Sequence, residues 1–529
     1  MRNILEKTFI LAICAYFAAA FVPPPSLTLA LPSTDGDLFP SGRRPLKRHA
    51  RLDEKEYLQQ IGKDLKDDRA YPQQTPHSGR HFLPSHPLYQ SQSSGIKALL
   101  KRICNPLRRP SRRKMKKRFM EGWYYRVTIP EEDVSFAFIF SVEDPGRSSK
   151  NGSEGSDLKL AACQVMGPND EYMVQADRDD EKFWAWENLQ GLGCTFEWDE
   201  NHQESGTYKQ GDIAAMHPDE WNVLVKTGFQ MLPHRLLGRI EGHDGSLGGV
   251  LPGQGIKKSC AFDLTVTPLS GWGDDEDIEC RERTRPQQKS TAGWLASFSV
   301  FEPHWQVTMA DGRASGSVTW NGKQFNFTNA PFYAEKNWGG AFPSKWYWVQ
   351  CNSFDGYIQE NGDTKLSVTA GGGTRKVPFG MEDLGMVSVH YNGTFYEAVP
   401  WTGEMKWDCQ PWGYWSFSAR CTTGKRLFET ELVATCDEEG VVLRAPTKDS
   451  GLTYFCRDSF RGIVELSLYE LVWDESKDDF VRGHVIIDRA SSKQAAVEIG
   501  GGPWWEPWRA TSNMKQPLKG LVKIPYVLF

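Results

Sequence analysis

The chain has 529 residues, 12% of them Phe, Trp or Tyr, and a formal net charge of −5; that length predicts two lobes behind a processed leader rather than one small domain. The total hides an asymmetry, because 23 of the 62 Lys/Arg but only 9 of the 67 Asp/Glu fall in residues 1–118, while all 20 Trp follow residue 118. The body is therefore acidic and aromatic, which excludes non-specific nucleic-acid binding, a function that needs phosphate neutralised.

At the N-terminus, Arg2 and Lys7 precede an apolar run from Thr8 to Phe17 and the small residues Ala18-Ala19-Ala20. This pattern predicts a signal peptide over 1–20, too short to span a membrane. No later stretch reaches transmembrane length. The sequence Ala19-Ala20-Phe21-Val22-Pro23 resembles the targeting motif of algae with complex plastids, in which a Phe opens the transit peptide. Residues 21–74 are accordingly expected to be a disordered, transit-like leader; the basic stretch Arg43 to Arg51 suits this, and Asp35 and Asp37 suit it less. An ordinary secreted protein is the alternative.

Residues 75–118 are expected to be a linker with a basic insertion. Its run from Arg108 to Arg118 holds eight bases and no acid, so it is either a solvated segment or a contact for anionic lipid. The eleven Cys include no C-x-x-C pair, which argues against a zinc site or a thioredoxin-like motif.

The body reads as antiparallel meanders. Trp123 to Ile129 and Val134 to Val142 are predicted strands around the turn Pro130-Glu-Glu-Asp133. One candidate helix covers 219–228. Three hairpins are expected: His304–Met309 with Ala314–Trp320 around Asp311-Gly312, the latter strand with Gln324–Phe327 around Asn321-Gly322, and Val387–Tyr391 with Thr394–Val399 around Asn392-Gly393. Asn-Gly and Asp-Gly favour positive φ and so suit primed hairpin turns. The predicted fold class is all-β, with two lipocalin-like antiparallel barrel lobes and few short helices. The lobes are assigned to 119–290 and 291–529, joined near the polar loop Gly273–Ser290.

The densest chemistry lies in Tyr333-Ala-Glu-Lys-Asn-Trp-Gly-Gly-Ala-Phe-Pro-Ser-Lys-Trp-Tyr-Trp348. On an extended strand Tyr333, Glu335 and Asn337 share one face and Lys336 takes the other. An aromatic setting can keep an acid protonated near neutral pH and can stabilise a cation. The alternative is a Trp-rich core in which Glu335 pairs with Lys336 or Lys345. A row of Trp on strands would also suit a carbohydrate-binding module.

The blocks Phe119-Met-Glu-Gly-Trp-Tyr-Tyr-Arg-Val127, Thr75-Pro-His-Ser-Gly-Arg-His-Phe82, Val300-Phe-Glu-Pro-His-Trp-Gln306, Thr369-Ala-Gly-Gly-Gly373, Pro411-Trp-Gly-Tyr-Trp415, Cys456-Arg-Asp-Ser459 and Ala495-Ala-Val-Glu-Ile-Gly-Gly-Gly-Pro-Trp504 join the stretch above. Together they resemble the tocopherol cyclases of plants and cyanobacteria over nearly all of residues 119–510. The central stretch also resembles, more distantly, the Tyr-x-Asp-His-Asn-Trp-Gly pattern of carotenoid hydratases, with Lys336 standing where that pattern has His.

The resemblance implies ring closure of a prenylated benzoquinol to a chromanol. Protonating the alkene leaves a tertiary cation, which the phenolic oxygen captures. Atoms are conserved, so no cofactor and no metal is expected. For that reaction Glu335 is the candidate general acid, Tyr333 its partner that orients it or relays a proton, and His304 the candidate base or substrate-oxygen anchor. Trp305, Asn337, Trp338, Trp346 and Trp348 are the expected substrate-binding set. The expected partner is a small-molecule lipid, with peripheral association to plastid lipid droplets or membranes. A carrier of prenylquinone lipids without catalysis would use the same lining and is the competing function.

Overall fold

The computed structural model describes residues 77–82, 118–145, 158–179, 182–199, 214–243, 257–273, 289–293, 296, 302–357, 366–377, 380–502 and scattered positions in 52–57 and 504–522. The signal and transit patterns and the basic run up to residue 117 lie outside the described residues.

The described body is built on strands, as the alternating pattern implies, and they form two antiparallel sheets of eleven strands each. In the first, the order is Tyr172–Asp177, Leu160–Met166, Val134–Glu143, Met120–Ile129, Lys323–Gly339, His304–Trp320, Lys257–Ser270 and Arg235–His243, followed by Val225–Leu232, Leu192–Trp198 and Phe183–Ala185. Val174 pairs back to His243, so the first eight strands close into a ring. An eight-stranded antiparallel ring is the lipocalin type of barrel, just wide enough for side chains to fill. Trp123, Tyr125, Phe138, Phe140, Phe229, Phe262, Phe332 and Trp338 fill it. Phe140 stacks on Phe229 with centroids 4.0 Å apart, an aromatic contact that adds about 0.5–1.5 kcal/mol to the burial itself.

The second sheet runs Thr394–Ala398, Gly380–Tyr391, Leu366–Val377, Trp346–Cys351, Asp479–Gly500, Gly451–Asp474, Arg426–Thr435, Tyr414–Thr423, Glu404–Cys409 and Trp508–Thr511, with Val441–Thr447 pairing to Gly451–Asp474. It curls until its ends meet: the Gly385 N–H donates to Ser512 Oγ at 3.1 Å, and Thr423 Oγ1 donates to Phe395 O at 3.4 Å. Tyr347, Val349, Trp407, Phe417 and Val497 make its core.

The break between sheets falls between Gly339 and Trp346, not at residue 290. Residues 304–339 supply two strands of the first sheet, and Lys257–Ser270, the strand that precedes them in the chain, belongs to that same sheet. Two Asn-Gly turns form as expected, with Asn321, Gly322, Asn392 and Gly393 all at positive φ. Asp311-Gly312 does not turn. The chain runs straight through it as His304–Trp320, with register shifts between Val307 and Met309 and between Met309 and Gly312. Asp311 instead accepts from Arg313 at 2.9 Å and from Asn352 at 3.0 Å, which ties the bulge to the second sheet. The expected helix is shorter, Pro218–Leu224; from Val225 the chain becomes a strand that buries Phe229 and Met231 in the barrel.

Strands Met120–Ile129 and Trp346–Cys351 are buried on both faces. One face of each lines its own sheet's core, and the other packs against the opposite sheet. The candidate site lies on those second faces.

Candidate active site

Along Lys323–Gly339, Tyr333, Glu335 and Asn337 project from the barrel's outer face while Phe332, Ala334, Lys336 and Trp338 project inward. Glu335 sits opposite Tyr124 on one side and Val307 on the other. Its Oε2 accepts from Tyr333 Oη at 2.7 Å and Trp305 Nε1 at 2.8 Å, and its Oε1 accepts from Asn337 Nδ2 at 3.1 Å. Burial pushes the carboxyl above the usual carboxylate range, and these hydrogen bonds offset only part of that rise. Lys345, the alternative ion-pair partner, stands instead over the rings of Trp504 and Trp508 at 4.4 and 4.9 Å.

The second sheet closes the site. Trp348 lies 5.3 Å from the Tyr124 ring and 5.8 Å from the Tyr333 ring. Its Nε1 is near both Glu335 and Tyr333, without completing a hydrogen bond to either. Trp305 rests on the backbone of Gly371, where an added Cβ would stand 2.8 Å from the indole. That close approach explains the glycine at 371 in steric terms, while a Cβ at Gly372 would meet the Tyr347 hydroxyl and one at Gly373 would meet Lys345 O and Pro343. Trp348 is paired across strands with Glu498, and Glu498 with Asp458. Trp346, on the same face, donates its Nε1–H to Glu498 Oε1.

Five of the expected residues therefore come together: Tyr333, Glu335 and Asn337 with Trp305 and Trp348; Trp346 borders them through Glu498. Two do not. His304 and Trp338, expected as base and substrate contact, are cross-strand partners whose rings lie 5.1 Å apart inside the barrel. The reason is the two-residue period: Trp305 and Asn337 face the site, so their neighbours His304 and Trp338 face away.

Four residues absent from the expected set line the same space. Tyr124 is buried with its hydroxyl unpartnered. Arg126 donates to Gln350 Oε1 at 2.8 Å and to Gln494 O, bridging the sheets. Glu498 is pushed up to about 7, by burial first and then by the nearby Glu335 charge against the opposing Trp346 bond. Asp458 is 0% exposed, and neither carboxyl oxygen completes a hydrogen bond, although the Ser459 N–H is near. Burial, then Glu498 and Asp170, raise it well above the carboxylate range. A signal for the last two existed: an acid within each of the apolar stretches Thr453–Phe460 and Ala495–Gly500.

The arrangement sets a carboxyl whose burial favours its neutral form among aromatic rings, with further acids across the interface of the sheets. Such a site suits proton transfer to an apolar group better than ion binding.

Comparison with known proteins gives a consistent family. Residues 117–501 match the family described as Tocopherol cyclase-like. The chain is 38% identical over 418 residues to "Tocopherol cyclase, chloroplastic" of Zea mays, covering 77% of this chain and 80% of that protein. A chloroplastic relative from Oryza sativa subsp. japonica is 38% identical over 413 residues, 76% of this chain and 80% of that protein. Among solved structures, kievitone hydratase from Nectria haematococca is 10% identical with a TM-score of 0.32, covering 82% of this chain and 98% of that one.

Proposed function

The chain belongs to the Tocopherol cyclase-like family, and from that premise we propose that it closes the ring of a phytyl-type benzoquinol to a chromanol at Glu335. The observation that carries this reading is the buried Glu335 carboxyl, raised above its usual range and surrounded by Tyr333, Trp305 and Trp348.

Glu335 donates its proton to the less substituted carbon of the prenyl double bond. The alkene electrons form the new C–H bond, and a tertiary cation remains. The phenolic oxygen of the ring forms the C–O bond, and its own proton leaves. Tyr333 and Asn337 hold the carboxyl in line from its two oxygens. Trp305 and Trp348 offer π faces to the cation; a desolvated cation–π contact is worth about 2 kcal/mol, roughly 30-fold in rate. General acid catalysis contributes more, about 10²–10⁴-fold.

The protein acts in a plastid, as the names of its chloroplastic relatives suggest, reached through the signal and transit patterns of residues 1–74. Its substrate is apolar enough to require peripheral contact with plastid lipid droplets or membranes.

The test is incubation of purified protein with phytyl hydroquinone under reducing conditions. The expected product has unchanged mass and lacks one phenol and the alkene. Glu335→Gln should lower turnover by about 10²–10⁴-fold while leaving the fold intact. Binding without ring closure by the wild-type protein would make it a carrier instead.

A further inference from the structure

Ring closure needs a base as well as an acid, because the attacking phenol becomes a protonated ether until its O–H proton leaves. His304 faces the barrel interior and is not in the site. We propose, on the ring-closure reading above, that Glu498 accepts the phenolic proton and that Asp458 is its positioning partner.

Geometry carries this assignment. Glu498 and Asp458 are direct cross-strand partners on Asp479–Gly500 and Gly451–Asp474, and Trp348 is the cross-strand partner of Glu498 on its other side. Paired residues in a sheet project to the same face about 4.5–5.5 Å apart at Cβ. Both carboxyls thus point with Trp348 toward Glu335 and Tyr124. Asp458 is buried and Glu498 half-buried directly opposite it, and two such acids resist ionising together, so both are raised. The Tyr124 hydroxyl, Trp348 Nε1 and both Asp458 oxygens are buried without completed hydrogen bonds. Four such atoms around one gap suit a ligand that brings hydroxyl groups, as a hydroquinone does.

The charged and titratable groups that bear on Glu498 are Glu335 and Tyr124 from the first sheet and Asp458 and Cys456 from Gly451–Asp474. Arg126 from the first sheet and Asp170 from the turn after Leu160–Met166 bear on its partner Asp458. Arg126 is the cation facing these carboxyls, and it is spent on Gln350 and Gln494. Acid therefore exceeds base in the gap, which keeps proton affinity high on both sides of the substrate.

The step balances. The Glu335 O–H bond breaks and its proton joins carbon; the phenol oxygen forms the C–O bond; its O–H bond breaks and the proton passes to the Glu498 carboxylate. The site keeps its total charge, and one proton moving from Glu498 back to Glu335 restores the starting state. The rate should rise with pH as Glu498 ionises and fall as Glu335 loses its proton, giving a bell.

The experiment is kcat and KM for phytyl hydroquinone under reductant from about pH 5.5 to 8.5, using wild type, Glu498→Gln and Glu498→Asp. Glu498→Gln should lower kcat by about 10²-fold or more, leave KM nearly unchanged, and abolish the rising limb near pH 7. A ring-halogenated hydroquinone, whose phenol is more acidic, should recover part of that loss. Glu498→Asp should keep the limb with a moved midpoint. The proposal is overturned if Glu498→Gln keeps the limb, if its kcat stays within ~3-fold of wild type, or if the halogenated substrate recovers nothing. Should Glu498→Gln fail to fold, a wild-type rate with no rising limb overturns it equally. Failure of wild type to close the ring at all defeats the ring-closure reading; wild-type turnover with an unaffected Glu498→Gln defeats only this one.

Discussion

Adjacent residues of one strand, Glu335 and Lys336, belong to two buried charged clusters on opposite faces, and the clusters are built on opposite rules. Inside the barrel, Lys336 Nζ meets Glu121 Oε1 at 2.8 Å and also reaches the carbonyls of His77 and Gly79 and His81 Nδ1. Glu121 further accepts from the backbone N–H groups of His81 and Phe82. Burial alone would raise Glu121, yet Lys336 and His81 bring it down to about 2. Burial holds His77 near 3 and His81 near 4, so both are neutral. Trp338 lies flat on His81 at 4.1 Å. Every charge there has its counter-charge.

Across the strand, Glu335, Glu498 and Asp458 are raised together, and Arg126, which opposes the rise at Asp458, also donates to Gln350 and Gln494 oxygens. A paired buried charge anchors a fold; a buried acid left short of cations stays ready to give or take a proton. The 77–82 segment thereby ties into the barrel, whereas the acids between the sheets are the ones placed for the proposed proton transfers.

The sharpest way to break this comparison is to exchange adjacent residues. Lys336→Met strands the Glu121 charge and should cost about 3–5 kcal/mol of stability, read by denaturant unfolding. Glu335→Gln should leave unfolding nearly unchanged and remove turnover instead. A stable Lys336→Met protein, or an unfolded Glu335→Gln one, would reverse the assignment of the two faces.

Next in size is the dependence of stability on pH, which should differ in sign between the clusters. Glu498 has a folded value of about 7 against an ordinary 4.5. The folded state therefore holds the extra proton between these values, and stability falls as pH rises through about 4.5 to 7. Glu498→Gln should flatten that fall, raising the melting temperature at about pH 8 and changing little at about pH 4. Glu121 is displaced downward, from 4.5 to about 2. Its contribution is present above about 4.5 and is lost as pH falls toward 2, so Glu121→Gln should destabilise most at neutral pH. Thermal melts of both variants across pH decide the matter; curves of the same sign would mean the clusters are alike.

The smallest expected effect concerns Trp305. Gly371→Ala places a methyl 2.8 Å from its indole and should move the Nε1–H off Glu335, lowering kcat about tenfold. Gly122→Ala, whose nearest atom stands at 3.7 Å, is the control and should leave the rate unchanged.

Local chemistry alone predicted a good deal. Asn321-Gly322 and Asn392-Gly393 form turns because their residues accept positive φ, and strand period two places Tyr333, Glu335 and Asn337 on one face with Lys336 on the other. The same local rule failed at Asp311-Gly312, where contacts to Arg313 and Asn352 hold the chain extended. It also could not say which way His304 points, because bulges in His304–Trp320 set its register against Trp338. The sequence by itself determined the all-β class, the family and the face that Tyr333, Glu335 and Asn337 share, since these depend on local periodicity and on motifs within a few residues. Only the tertiary structure decided that Glu335 faces the gap between two sheets rather than a barrel interior, and that Tyr124, Asp458 and Glu498 share that gap. Those residues are far apart in the chain, and their meeting depends on strand register and sheet packing, which no local pattern encodes.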